Sequence, residues 1–551
     1  MKTIKLEDKI IYQIFPRSFY DSNNDGNGDL KGITLKLPYL KKLGINAIWL
    51  CPIYKTEFVD AGYDVLDYKS VWKNFGTLKD FKELSSKAKK LGIDIIMDIV
   101  LNHVSNQHKW FKKACESEDN IEHNYFIWRK TLSDEEKKAK SIFGGSAWEY
   151  VPSVKKYYFH LFSKEQVDLN WSHPNTIKAM VDVIDFWYKL GVKGFRLDAI
   201  KHVSKTFENV EKNPYFAWNP KAVEYLKTFN KLAFSNKPDA YTLGESSGIT
   251  ADEILYYGAG ENKVSENYFN FSWWWIGWGR QTGRNGYDAN WDYKNFVFQQ
   301  QPFQHNEKIK SYMFTNFLSN HDTSRSVSRW GDENIFRQES AKTHALMLFI
   351  LKGIPCIYYG EEIGLLNTHF DKRNQFRDVD IYNGFTTLVD EQKIYSENEF
   401  FKYMNINSRD AGRSLMQWDS SKNAGFSQAK NLWLKTGRYS EEINVKKALK
   451  EKDSIFYFYQ QLIKMRKKEF RDILIKGTSK FEVLPSGLIL IKRCFENEEL
   501  IAYLNLTSSQ IEENIEQGQT ILSSYKDNKI VKNIFRPYES ILIKNSFKNK
   551  G

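Results

Sequence analysis

The chain has 551 residues, 41% of them hydrophobic and 15% aromatic, which excludes a disordered protein and exceeds what one core can organise; about three domains are expected. Its net charge of +12 is carried by lysines dispersed among acids, as in 79–90 and 446–452, which excludes a phosphate-tracking stripe and hence nucleic acid as a partner. The four cysteines, Cys51, Cys115, Cys356 and Cys494, form no CxxC pair, so neither a disulfide framework nor a zinc site is expected. The first residues carry charges where a signal peptide needs an apolar run, and no window is apolar enough to span a membrane. A monomeric, cytoplasmic protein is the expectation.

Taken in order, eight short apolar runs read as strands: 10–15, 47–50, 93–100, 194–197, 240–243, 268–271, 313–318 and 355–358. Amphipathic stretches such as 78–91 and 177–190 lie between most of them. Repeated strand–helix units over this length predict a parallel (β/α)8 barrel, a TIM barrel of the α/β class, over 1–103 and 171–476. A long aromatic and charged stretch, 104–170, interrupts the third unit and predicts an inserted subdomain over the barrel mouth. From 477 to 551 the texture changes to short alternating strands, predicting a C-terminal all-β sandwich.

The loop 21–29, Asp21-Ser-Asn23-Asn-Asp25-Gly-Asn27-Gly-Asp29, alternates oxygen-bearing side chains as the first half of an EF-hand loop does. Position twelve is Gly32 where a bidentate Glu belongs, so an EF-hand is excluded. Its GxGxxxG spacing lacks the preceding strand of a dinucleotide site.

Ionisable residues gather at the carboxyl ends of the predicted strands, where a barrel of this kind keeps its active site. Asp64 follows the second strand, Asn102-His103 the third, Arg196 and Asp198 end the fourth, Glu245 the fifth, and His321-Asp322 the seventh. By strand alternation Arg196 shares a face with Asp198 and would hold that carboxylate ionised.

Segments 99–103, 194–200, 243–245 and 320–322, in that order, resemble the ordered motifs of the α-amylase family of glycoside hydrolases (family 13), and 166–170 resembles its insertion-domain motif. Further matches run from 12–17 to 360–364, 408–413 and 416–419; the likeness weakens in the terminal β domain. The oligo-1,6-glucosidase, dextran glucosidase and α-glucosidase branch is the most similar. The resemblance implies an exo-acting, retaining α-glucosidase that removes terminal α-linked glucose from oligosaccharides or disaccharides, with a phosphorylated-trehalose hydrolase or a glucosyl-transferring isomerase as alternatives. A transporter-associated, non-catalytic relative would have lost the three acids and gained a membrane segment.

By position in those motifs Asp198 is the implied nucleophile, Glu245 the acid/base and Asp322 the third acid, with Arg196, His103 and His321 supporting the reacting sugar. Asp64 and Arg413 are implied to pair at the non-reducing end of the terminal glucose. Tyr63 and Phe162 are candidate packing surfaces for that glucose, and Gln166 is expected at the entrance. Ala199 should border the leaving sugar, where the branch carries Val in α-1,6-specific enzymes and smaller residues where α-1,4 linkages are accepted. Lys201-His202 departs from the glucosidase pattern toward that of α-amylases. No cofactor is needed for the chemistry. A similar loop in the dextran-glucosidase-like branch holds one Ca²⁺, which implies a structural Ca²⁺ at Asp21, Asn23, Asp25, Asn27 and Asp29.

Overall fold

The computed structural model describes residues 5–207, 218–258, 263–305, 312–527, 530 and 533–546. Eight strands form its centre: β1 (Ile11–Ile14), β2 (Ala47–Leu50), β3 (Asp94–Val100), β4 (Gly194–Asp198), β5 (Tyr241–Gly244), β6 (Asn267–Tyr268), β7 (Thr315–Asn316) and β8 (Ile354–Tyr358). They pair in parallel in the order β6-β5-β4-β3-β2-β1-β8-β7. A single parallel bridge between Phe269 and Thr315 closes the ring.

The predicted sixth and seventh strands are longer than those observed, because side chains take over the ladder there. Asn270 donates its backbone N–H to Thr315 O (2.9 Å) and its amide to Asn316 Oδ1 (3.1 Å) and Gln300 Oε1 (2.9 Å). Thr315 Oγ1 donates to Asn267 Oδ1 at 2.6 Å.

Inside the barrel the base is apolar, with Ile11, Ala47, Trp49, Ile96, Tyr241 and Leu243 in one buried cluster. Two residues further up the same faces, Ile96 gives way to Asp98, Gly194 to Arg196 and then Asp198, and Leu243 to Glu245. Gly194 is required in the lower layer: a Cβ there would come within 2.6 Å of Ile96 and of the Tyr241 ring. Around the strands the helices are locally encoded. Thr77 and Asp80 close a capping box on Leu78–Lys90, Asp29 caps Leu30–Leu43 through Gly32 N, and Pro174 and Pro220 open their helices.

Between β3 and β4 the antiparallel pair His103–Ser105 and Gln166–Asp168 ties together the two ends of the insertion. Within it a three-stranded sheet, Trp128–Arg129, Lys156–Phe159 and Trp148–Val151, covers a small core of Ala139, Ala147, Trp148, Phe159 and Leu161. At the carboxyl end of the chain, five antiparallel strands from Thr478–Val483 to Ser540–Ser546 form one sheet beside the ribbon Ile511–Glu512/Ile534–Phe535. One face of that sheet buries Leu490, Ile501, Tyr503, Ile541 and Ile543 with Phe535; the other sends Ile489, Ile491, Leu500 and Leu542 into the main core. All four cysteines are free thiols. Among the described residues no helix is long and apolar enough to cross a membrane.

Candidate active site

Arg196 stands at the centre, 2% exposed. Its Nη1 donates to Asp98 Oδ1 at 2.8 Å and to Asp198 Oδ1, and its Nη2 lies 3.0 Å from Glu245 Oε2. Three carboxylates thus face one guanidinium. Full ionisation would leave two uncompensated negative charges in a buried site, which disfavours the charged forms of Asp198 and Asp98. Burial, reinforced by Glu245 and Asp98, pushes Asp198 above the ordinary aspartate range, with Arg196 pulling the other way. Burial likewise raises Asp98, to about 6, against Arg196.

Glu245 reaches the cluster from the end of β5. Its Oε2 accepts the Ala199 N–H at 2.8 Å besides facing Arg196, and its backbone carbonyl accepts Ile200 N at 3.1 Å. With Oε2 held there, Oε1 is the oxygen left to carry a proton to a ligand. Ala199 makes that bond from the left-handed region, φ +48°, which costs a non-glycine residue about 1–3 kcal/mol. A β-branched side chain would be worse tolerated at that φ.

Asp322, on the opposite rim, has the reverse electrostatics. Burial disfavours its charge, but His321, Arg409 and Arg413 outweigh burial and hold its carboxyl well below the usual range. His321 is pushed down to about 3, chiefly by burial, and is therefore neutral near pH 7. Gln13 Nε2 donates to its Nδ1 (2.8 Å), which puts the ring proton on Nε2, 2.5 Å from Tyr63 Oη and 3.3 Å from Asp322 Oδ2. Tyr63 stacks on the His321 ring and donates to Asp98 Oδ2 at 3.0 Å.

These groups open into a cavity of about 460 Å³, lined by Asp198, Glu245, Asp322, Tyr63, His103 and Phe162 together with Asp60 and Arg409. Arg409 Nη2 donates to Asp60 Oδ1 at 3.0 Å, and its Nη1 lies 3.3 Å from Asp322 Oδ1. Asp60 also lines a second cavity of about 90 Å³ with Arg17 and Arg413, so it forms part of the wall between the two. On the Glu245 side the rim is aromatic, with Trp274, Trp275 and Trp278 beside Ser247.

An "Alpha amylase, catalytic domain" family model matches residues 13–477. The chain belongs to the α-amylase family. An oligo-1,6-glucosidase from Parageobacillus thermoglucosidasius is 37% identical over 526 residues, covering 92% of this chain and 91% of its own. A glucan 1,6-alpha-glucosidase from Streptococcus pneumoniae is 40% identical over 83% of each chain. The crystal structure of Bacillus licheniformis trehalose-6-phosphate hydrolase superposes with a TM-score of 0.90 at 32% identity, covering 98% of this chain and 99% of that one. The protein is a glycoside hydrolase of this family, built on the expected barrel.

Of the residues expected from the sequence, Tyr63, His103, Phe162, Asp198, Ala199, Glu245 and Asp322 all line the α-amylase-family pocket. Arg196 and His321 stand just behind its wall. Three expectations need correction. Asp64 is fully buried; its carboxylate accepts the backbone N–H groups of Glu57 and Asp60 (both 3.1 Å) and folds the loop that carries Asp60. Arg413 pairs not with Asp64 but with Asp378 (3.2 Å), and donates to His321 O at 2.8 Å. Gln166, expected at the entrance, is fully buried, its Nε2 donating to Asp60 Oδ2 at 3.1 Å and lying 3.0 Å from His103 Nε2. The pair overlooked was Asp60 and Arg409, each four residues before the one chosen.

In the loop 21–29, Asp21 accepts backbone N–H groups from Asn23, Asn24 and Gly26, and Asp29 accepts from Ser22 and Gly32. Asn27 Oδ1 accepts from Arg17 Nε at 2.7 Å, which leaves its carbonyl as the freer oxygen.

Proposed function

We propose that the protein is an exo-acting, retaining α-glucosidase that removes single glucose units from neutral α-linked oligosaccharides. The observation that carries this reading is the Asp60–Arg409 pair, which forms part of the wall of the pocket that Asp198 and Glu245 also line. In the first step an Asp198 oxygen attacks the anomeric carbon while Glu245 Oε1 gives its proton to the departing glycosidic oxygen. In the second, Glu245 takes a proton from water, whose oxygen displaces Asp198 and restores both groups. Asp322, ionised and acceptor-only, suits ring hydroxyls whose donation strengthens as positive charge develops on the sugar.

Charge favours a neutral substrate over the phosphorylated disaccharide. Among the described residues, five carboxylates line the cavity (Asp60, Asp198, Glu245, Asp322 and Asp380) against two guanidiniums, and both are engaged: Arg284 Nε donates to Asp380 at 2.6 Å, and Arg409 pairs with Asp60. A phosphate dianion would enter a field of its own sign. Two of the named relatives are called 1,6-glucosidases, which supports α-1,6 linkages, and the small Ala199 leaves room beside the scissile bond for α-1,4 linkages too.

The test is a kcat/KM panel of isomaltose, maltose, sucrose, trehalose and trehalose-6-phosphate with product identification. Free glucose from isomaltose and maltose, at least tenfold faster than any release from trehalose-6-phosphate, is the expected outcome. A preference for the phosphorylated sugar, or rearranged disaccharide as the main product, would overturn it.

We also infer that the 21–29 loop holds a Ca²⁺, through Asp21, Asn23, Asp25, Asp29 and the Asn27 carbonyl. Hard oxygens are the donors this ion takes. Burial raises Asp29, with the Asp21 charge adding to it, and a cation would relieve that repulsion. Chelation is expected to lower Tm by several degrees in the wild type and not in Asp21→Ala; an unchanged wild-type melt refutes the site.

A further inference from the structure

The loop that carries Asp60 is held in an unfavourable backbone conformation by contacts made from another part of the chain. Phe58, two residues before Asp60, has φ +65°, and Ala61, one residue after it, has φ +53°. Non-glycine residues keep such angles only where their surroundings impose them. For Phe58 the surroundings are explicit. Its ring stacks on Trp72 at 4.5 Å, and the Arg17 guanidinium lies over its face at 4.3 Å.

Arg17 is itself enclosed. Its guanidinium lies 5.2 Å from the Trp72 ring centre and 4.7 Å from that of Trp433, and its Nε donates to Asn27 Oδ1 at 2.7 Å. Asn27 and Trp433 are joined in turn, because Trp433 N donates to the carbonyl of Gly26 at 3.1 Å. A planar cation among three rings is attracted to each face, and the attraction grows as water is excluded. Burial lowers the Arg17 pKa to about 10, which leaves it charged at neutral pH.

We propose that Arg17 is a positioning residue for sugar binding: clamped between Trp433 and the Phe58–Trp72 stack and anchored to Asn27, it holds the Phe58 turn down and so fixes Asp60 in the pocket wall. The 21–29 loop is then mechanically joined to the sugar site through one side chain, in addition to its part in stability. This rests on the reading of Asp60 as a contact for the terminal glucose.

The experiment separates the two claims. Asp60→Ala alone tests that reading. If it leaves KM unchanged, Asp60 does not contact the sugar and the positioning role falls with it. Arg17→Met keeps the length and the apolar stem but loses the charge and the Nε bond. It is expected to raise KM for isomaltose about tenfold with kcat changed less than threefold. It should weaken binding of a glucose-mimicking iminosugar, measured by calorimetry, to a similar extent. On an Asp60→Ala background Arg17→Met should then add nothing to KM, because residues acting through one another are not additive. Arg17→Lys, a cation without the planar fork, should behave like Met. Should Arg17→Met fold poorly, Asn27→Ala removes the anchor, together with the Asn27 amide's bond to Asp25 Oδ1 (3.2 Å), and is expected to raise KM about threefold, an effect also lost on the Asp60→Ala background. A lowered Tm with KM and iminosugar affinity unmoved, or a KM effect that persists in full without Asp60, overturns the proposal.

Discussion

Asp198→Asn is expected to lower kcat on isomaltose by on the order of 10⁴ or more, the scale of losing a nucleophile, while leaving the fold intact. The amide keeps the volume and can still accept from Arg196, but it cannot form the glycosyl ester. Stability should move the other way. Burial raises the Asp198 carboxyl above the ordinary aspartate value, so the folded state resists its ionisation. For an acid of that kind, stability is fully present below the unfolded value near pH 4 and is lost as pH rises through the folded value. Removing the charge should therefore give a Tm at pH 7 equal to or above that of the wild type, the exchange of stability for activity expected at a strained site. The complementary variant is Asp198→Gly supplied with azide, expected to yield the inverted β-glucosyl azide from an activated α-glucoside. Wild-type turnover in deamidation-free Asp198→Asn, or no azide product from Asp198→Gly, would remove Asp198 from the nucleophile's place.

The barrel and its catalytic acids were legible because their signals are redundant. Each strand is an apolar run, and the acids stand where alternation carries an inward-facing column out of the apolar base. Gly194, Arg196 and Asp198 can be read from the sequence as one such column, and the structure places them so. Strands β6 and β7 were legible in position but not in length, since Asn267, Asn270 and Asn316 replace ladder bonds with amide bonds. Nothing in a hydrophobic pattern marks that exchange.

The wall of the pocket was harder. Asp60-Ala-Gly-Tyr63-Asp64 offers two acids and Arg409-Asp-Ala-Gly-Arg413 two arginines, both pairs four apart. Spacing cannot choose between them. The choice is made by the turn at Phe58–Gly62, with positive φ at Phe58, Ala61 and Gly62, which directs Asp64 inward onto backbone N–H groups and leaves Asp60 facing the cavity. The aromatic rim of Trp274, Trp275 and Trp278 had a visible signal, a cluster of tryptophans after the sixth strand, but composition alone does not separate a rim from a core.

Loss of that wall pair should produce the second large effect. Asp60→Ala removes a buried acceptor, so a sugar hydroxyl that donated to it loses a charged hydrogen bond, worth about 1.5–3 kcal/mol, and Arg409 loses a partner. A fall in kcat/KM for isomaltose of about 10²-fold follows. Arg409→Ala should cost at least as much by another route. It leaves Asp378 with one guanidinium fewer and withdraws positive charge from Asp322, so Tm should drop as well as activity. Because the two side chains touch, the double variant should lose less than the product of the single losses. Opening the wall toward the cavity lined by Arg17 and Arg413 should also let disaccharide appear among the first products from longer isomaltodextrins. Asp64→Asn is the control: its carboxylate faces the Glu57 and Asp60 N–H groups and the Thr56 hydroxyl, not the cavity, so it should shift Tm with little change in KM. If Asp64→Asn raises KM as much as Asp60→Ala does, or if Asp60→Ala binds and cleaves isomaltose as the wild type does, the pocket is not closed by Asp60 and Arg409.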